Sequence, residues 1–250
     1  IHVGKLDWVM PGPQVRAALA ATDTLALELD ITDPAVQREM TAGAAPKPGT
    51  SASPAQQQRL DRQLAAACLP PGSLAKFHPV MQAITLVMLA ARWEGLEVAY
   101  AQEVTLGGLA QGARRPIVSL ETVKTQFDAL GLDDPAESRE QLDMILDQLE
   151  QNRVRPLIAR LSGVWERGDF TELEHYEDWC DCTTSESERE ALRRLNDDRN
   201  PGLAERIDAL HRSGKRVFAA VGALHMTGPQ GLPALLQQRG YTLERVSFAR

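Results

Sequence analysis

Two histidines stand near opposite ends of this 250-residue chain, His2 in Ile1-His2-Val3-Gly4 and His225 in Val221-Gly222-Ala223-Leu224-His225-Met226-Thr227-Gly228. Each lies in what reads as one half of a duplicated unit. A shift of 216 residues, the separation of Gly12 and Gly228, lays Gly12-Pro13-Gln14 on Gly228-Pro229-Gln230. The same shift lays Ala18-Leu19 on Ala234-Leu235 and Leu27-Glu28 on Leu243-Glu244. A duplication with a histidine in both copies is a direct way to bring two imidazoles together, and imidazoles beside carboxylates are divalent-metal ligands. Two glutamates supply the carboxylates: Glu28 and Glu121 each follow a leucine at the end of an apolar run. The chemistry expected of such a set is hydrolysis. His2, Glu28 and His225 would bind a divalent cation (Mn, Co or Zn), and Glu121 would serve as base or fourth ligand. Arg199, in Asn196-Asp197-Asp198-Arg199-Asn200, would fix a substrate carboxylate or oxyanion through its planar fork, with Asn200 capping the helix that follows.

The elements that must carry these residues follow from pattern. Leu25, Leu27 and Leu29 alternate with Ala26, Glu28 and Asp30, a strand within residues 23–30. Pro13–Ala21 reads as a helix opened by Gly-Pro, and Arg115–Glu121 as a second strand. Residues 41–54 read as an exposed connector rich in Ala, Gly, Pro, Ser and Thr. Helices are expected over 54–69 and 73–94, then over 135–163 with a break or kink near Pro156, and again from Pro201 to Ser213. The last forty residues predict a buried strand over 216–221, a turn holding His225, a helix over 230–239 ended by Gly240, and a final strand over 241–248. Ligands of open α/β sheets bind just beyond the carboxyl ends of the strands, which is where His225 falls. The fold class is therefore α/β: a central mixed, mostly parallel sheet from two pseudo-symmetric halves, flanked by many helices. The expected organisation is one domain over 1–250, with helical insertions over 54–111 and 135–198.

Bulk composition narrows the partners. With 34 acidic against 27 basic residues the formal charge is −7, which disfavours nucleic acid and anionic membrane. A peptide or protein substrate, and a second copy of the chain in a homodimer, are the expected partners. The longest apolar stretch, 79–91, is too short to span a bilayer. His-Glu-x-x-His, Gly-x-Ser-x-Gly and phosphate-cradling glycine loops are missing, which sets aside zincin, α/β-hydrolase and nucleotide-binding readings. Cys180 and Cys182 flank Asp181, and Cys68 stands apart. A bridge within Cys-x-Cys closes a small ring, so a bond from Cys68 to one of the pair, and three free thiols, both stay open. His78, His175 and His211 lack spaced ligand partners and are expected to be structural or exposed.

Taken in order, Ile1-His2-Val3-Gly4, Leu27-Glu28, Ser119-Leu120-Glu121-Thr122 with Gln126, Asp198-Arg199-Asn200, the His225 motif and Gly240-Tyr241 resemble the TraB/PrgY/GumN family, to which the TIKI metalloproteases are related. The resemblance spans nearly the whole chain. It implies a single α/β-type domain of two pseudo-symmetric halves, each supplying a Gly-x-x-His motif, and metal-dependent peptidase activity. It carries the motif histidines onto His2 and His225 and the strand glutamate onto Glu28. The Leu-Glu-Thr and Arg-Asn signatures fall on Glu121 and on Arg199 with Asn200. The family's Gly-x-Asp position falls on Gly95-Leu96-Glu97. The sequence opens on Ile1, so the natural amino terminus with any signal segment is not shown, and the resemblance implies a periplasmic or otherwise exported location. Related folds also leave room for a protein that sequesters a peptide or haem without catalysis, and for an esterase resembling the erythromycin esterases.

Overall fold

The computed structural model describes residues 2–246. Its centre is a three-stranded sheet made of β1 (Thr24–Leu27), β2 (Ile117–Ser119) and β3 (Val217–Ala220), in the order β2-β1-β3. Both pairings are parallel, with Leu25 opposite Ile117 on one side and Phe218 on the other. The order places the strand from the start of the chain between two strands that arrive much later, and all three carboxyl ends point the same way. β1 is buried along its whole length, as a central parallel strand covered on both faces must be. β3 is only partly buried because it forms the edge, so the expectation of a buried strand there is corrected.

Thirteen helices are present among the described residues. They are α1 (Pro13–Ala21), α2 (Pro34–Gly43), α3 (Pro54–Ala66), α4 (Pro79–Ala90), α5 (Gln102–Gly112), α6 (Val123–Ala129), α7 (Pro135–Glu150), α8 (Val154–Arg167), α9 (Phe170–Glu174), α10 (Tyr176–Trp179), α11 (Glu186–Leu195), α12 (Asn200–Arg212) and α13 (Leu232–Gln238). The period-2 alternation of β1 decides which of them meet the sheet. Leu25 and Leu27 pack with Leu19 of α1 and with Leu106 and Ala110 of α5. Ala26, on the opposite face, packs with Leu203 and Ile207 of α12 and with Leu232 and Leu235 of α13. The sheet is therefore the middle of three layers. A separate helical core, centred on Leu60, Leu64, Leu86, Leu142 and Leu146 of α3, α4 and α7, sits beyond it.

Five helices, α1, α2, α3, α4 and α7, have proline as their first residue. Ser53 and Gln56 form a reciprocal capping box at α3, and Asp134 accepts from Ala136 and Glu137 at α7. His78 caps α4, its Nδ1 accepting from the Val80 N–H, so the helix expected from Ser73 starts only at Pro79. Asp33 with Pro34 starts α2, which runs into the segment expected to be an open connector. The 135–163 stretch is two helices separated at 151–153, with Pro156 in the first turn of α8. Residues 241–246 form no strand, and residues 247 and 248 of that expected strand lie outside the described residues. β3 pairs with β1, and the second copy of Leu-Glu, Leu243-Glu244, is not at a strand end.

The segment bearing His2 is not a strand either, although Gly4 makes an isolated antiparallel bridge to Glu97. It is nevertheless pinned. Gly4 and Glu97 exchange backbone hydrogen bonds at 2.9 and 2.8 Å, and a side chain at Gly4 would overlap the Tyr100 carbonyl. Trp8 is buried against Ala91 and Leu96, and its Nε1 donates to Glu166. Cys180 and Cys182 form a disulfide, and Cys68 is a free, exposed thiol. No helix among the described residues is long and apolar enough to cross a membrane.

Candidate functional site

The carboxyl ends of the three strands deliver the site. Glu28 is the first residue after β1, Glu121 follows β2 by two residues, and His225 lies in a short 3-10 turn (Ala223–Met226) after β3. Arg199 enters from the other direction, at the cap of α12, and joins the two glutamates. Its Nη2 donates to Glu28 Oε2 at 2.5 Å and to Glu121 Oε1, its Nε donates to Glu121 Oε2 at 3.0 Å, and its Nη1 donates to the Leu195 carbonyl at 2.8 Å. Gln126 of α6 bridges the same glutamates, donating to Glu121 at 2.9 Å and to Glu28 at 3.3 Å. With side chains only 6–10% exposed, these three charges form a desolvated cluster. Such a cluster persists only because the opposite charges and hydrogen bonds are complete.

Four of the five Arg199 N–H groups are occupied in this way. Its role here is to hold Glu28 and Glu121 together as carboxylates, in place of the substrate clamp expected from sequence. Burial alone would raise Glu28, yet Arg199, the two histidines and the Gly222 N–H together hold it below the usual carboxylate range. That N–H donates to Glu28 Oε1 at 2.6 Å. A Cβ at Gly222 would lie 3.3 Å from both Glu28 Oε1 and His225 Cδ2, so the backbone approaches the pair as closely as it does because residue 222 is glycine.

Asn200 does not cap α12. It is the first helical residue, fully buried, with its side chain turned inward, so the expected cap is corrected. Its Nδ2 donates to the Gln230 carbonyl at 2.8 Å, which leaves Oδ1 facing His225 Nδ1 at 2.7 Å. Because Oδ1 only accepts, Nδ1 of His225 carries the proton and Nε2 keeps its lone pair. That Nε2 stands 3.9 Å from Glu28 Oε1. Burial pushes His225 down to about 4, against the pull of Glu28 and with Arg199 adding to the depression, so the ring is neutral at physiological pH.

His2 is held by a residue the sequence reading missed. Glu103, in the first turn of α5, accepts from His2 Nδ1 at 2.7 Å. This bond, outweighing burial, raises His2 above its ordinary 6.5. Glu97, where the Gly-x-Asp position was expected, instead pairs with Arg92 at 3.0 Å. An acidic residue in the first turn of a helix was the only signal for Glu103, and helix electrostatics alone accounts for such a residue. His2, Glu28 and Glu103 line one cavity of about 160 Å³, whose lining also includes Leu29, Met40 and Val221. The His2 side chain is 62% exposed and marks its mouth. A second cavity, of about 300 Å³, lies against Leu224 and Thr227 of the His225 turn and holds no histidine.

The match of a family model to residues 1–245 decides which protein family this arrangement belongs to. The chain belongs to the TraB/PrgY/gumN family. No curated protein and no solved structure matches it. In this TraB/PrgY/gumN chain the structure brings together two hydrogen-bonded groups, Glu28, Glu121 and Arg199 in one and Asn200 and His225 in the other, 3.9 Å apart between His225 Nε2 and Glu28 Oε1, with His2 sharing the cavity lining with Glu28. Among the described residues no three His, Cys, Asp or Glu side chains converge closely enough to hold a metal ion. The remaining histidines behave as expected: His78 is a buried cap that meets Ser138, and His175 and His211 are exposed.

Proposed function

We propose that the chain is a metal-dependent hydrolase acting on peptide bonds, related in chemistry to the TIKI metalloproteases, with His2, Glu28 and His225 as the ligands of a divalent cation. The observation that carries this reading is the protonation pattern of the two imidazoles. Each has its Nδ1–H committed to an outer acceptor, Asn200 for His225 and Glu103 for His2, both at 2.7 Å. Metal-binding histidines are held in this way, with the second nitrogen left as ligand. The neutrality of His225 and the ionised state of Glu28 fit the same role; the three side chains do not close on one point as they stand, so Mn, Co or Zn would have to draw them together on binding. A bound cation would polarise the scissile carbonyl and make water a nucleophile near neutral pH.

The chain's own groups supply the rest. Glu121, fixed by Arg199 and Gln126, is the base that takes the proton of the attacking water. Asn200 and the Gly222 N–H keep His225 and Glu28 in fixed orientation. An exported location is supported by the Cys180–Cys182 disulfide. The test is hydrolysis of a peptide panel by the purified chain with Mn²⁺, Co²⁺ or Zn²⁺ and with chelator. Peptide cleavage that appears with metal and disappears with chelator is expected.

A second reading is favoured by the His2–Glu103 pair at the mouth of the cavity, 2.7 Å apart. Held protonated by Glu103, His2 would be a general acid for an ester leaving group, as an esterase of the erythromycin-esterase kind requires. Ester hydrolysis unaffected by chelator, without peptide cleavage, would select this reading over the first.

A further inference from the structure

The cavity has two chemically different walls. His2, Glu28 and Glu103 make one, and Leu29, Ile31, Met40 and Val221 make the other. Nothing in the proposed hydrolysis uses the second wall. Leu29 and Ile31 lie in the bend and turn that lead from β1 to α2, so the same strand exit that presents the carboxylate also presents apolar side chains. Leu29 is buried, whereas Ile31, Met40 and Val221 keep part of their surface exposed. Met40 comes from α2, a helix with no fully buried residue, where it packs partly against the helical core and partly against open space. Half-covered apolar groups opposite a polar cluster are the composition of a ligand site: one wall orients by hydrogen bond and charge, and the other recognises by apolar contact.

We infer that this wall is the side-chain pocket of the substrate, and that it selects a peptide with one medium-sized apolar residue, leucine, methionine or phenylalanine, next to the bond placed against His2 and Glu28. The inference rests on the proposed hydrolase reading for the identity of the bond. Size supports it: a cavity of about 160 Å³ compares with the ~150 Å³ apolar cavity that holds a single benzene ring, so one phenyl or isobutyl group fits and a second does not. Charge supports it as well. An acidic side chain would meet the carboxylates of Glu28 and Glu103, which disfavours it against an apolar one. Methionine at position 40 suits a wall that adapts to branched and aromatic groups alike, because its unbranched thioether fills irregular space.

The experiment measures binding and cleavage separately. Acetyl-Gly-Xaa-Gly-amide peptides, with Xaa as Gly, Ala, Leu, Phe, Glu or Lys, are titrated calorimetrically into the purified chain without metal. The same peptides are then assayed for hydrolysis with Mn²⁺, Co²⁺ and Zn²⁺. Leu and Phe peptides are expected to bind and react roughly 10–100-fold better than the Ala peptide, and the Glu peptide no better than Gly. Two substitutions move the preference in opposite directions: M40W fills the pocket and brings Leu and Phe down to the level of Ala, whereas M40A enlarges it and favours Phe over Leu. Circular dichroism of both variants verifies the fold. Equal binding of all six peptides, or an apolar preference that neither variant moves, overturns the inference. Apolar-selective binding with no cleavage by any metal form refutes the peptidase reading and leaves the pocket standing. Cleavage indifferent to Xaa does the reverse.

Discussion

Replacing Arg199 by methionine removes the one cation that holds Glu28 and Glu121 together while roughly keeping the volume. Arg199 is 10% exposed and its partners 10% and 6%, so solvent does little to screen what is left. Breaking a buried ion pair from one side costs about 3–5 kcal/mol, because a desolvated charge is left behind. In a chain of this size that lowers the melting temperature by roughly 6–20 °C. The dependence on pH has a definite sign. In the parent, Glu28 titrates below 4.5, so its contribution to stability is present above that value and is lost as the pH falls further. In R199M the first of the groups that oppose burial is gone, so Glu28 moves upward from its position in the parent. A carboxyl moved upward in the folded state gives less stability at high pH, where it is ionised, than at low pH, where it is protonated. The deficit of R199M should therefore be largest at pH 8 and shrink toward pH 5. Adding E121Q, which removes one of the two facing charges, should recover a substantial part of it at pH 8. Urea denaturation followed by circular dichroism at both pH values measures each difference. A loss under about 1 kcal/mol at pH 8, or one equal at both pH values, would refute the claim that this cluster depends on its arginine.

Three further expectations concern other contacts. N200L leaves the buried Nδ1–H of His225 without an acceptor; it should cost about 1–3 kcal/mol and weaken Co²⁺ binding roughly 10–100-fold, and calorimetric titration returning the parent affinity would deny Asn200 its orienting role. G222A forces a methyl group against Glu28 and His225 and should cost about 1–3 kcal/mol in urea denaturation, whereas G12A, where a Cβ meets nothing within 4 Å, should not; equal effects would mean that the close approach at Gly222 is of no consequence. Arg59 of α3 binds Asp143 and Glu150 of α7, and its bond to Glu150 is the main cause of that carboxyl lying below the usual range. R59M should lose about 1 kcal/mol at pH 7, a figure already reduced for solvent screening, and since the contribution of Glu150 disappears as the pH falls below 4.5, parent and variant should melt together near pH 3.

What could be read in the chain follows from how local each signal is. The leucine alternation around Ala26, the Gly-Pro start of α1 and the break before Pro156 are local, and each reappears close to where it was expected. Strand order is not local: that β1 lies between β2 and β3 depends on which helices cover which face, and no run of residues encodes it. The end of the chain misled for a related reason. Tyr241–Val246 has strand-like composition, but β1 already has a neighbour on each side, and composition alone does not create a pairing partner. At the site, residue types at strand ends were sufficient to nominate Glu28, Glu121 and His225. The roles of Arg199 and Asn200 needed coordinates, because a guanidinium that grips two glutamates and one that awaits substrate have the same sequence. Glu103 was invisible because its partner His2 lies 101 residues away, and only the fold brings them to 2.7 Å.

The central claim is that His2, Glu28 and His225 together hold a divalent cation, and Co²⁺ titration monitored by visible absorption tests it most directly. The account predicts one equivalent bound per chain, with the ligand-field bands lost in H225A and E28A while circular dichroism shows both variants folded, and hydrolysis lost with the bands. Unchanged bands, metal content and hydrolysis in both variants would contradict it.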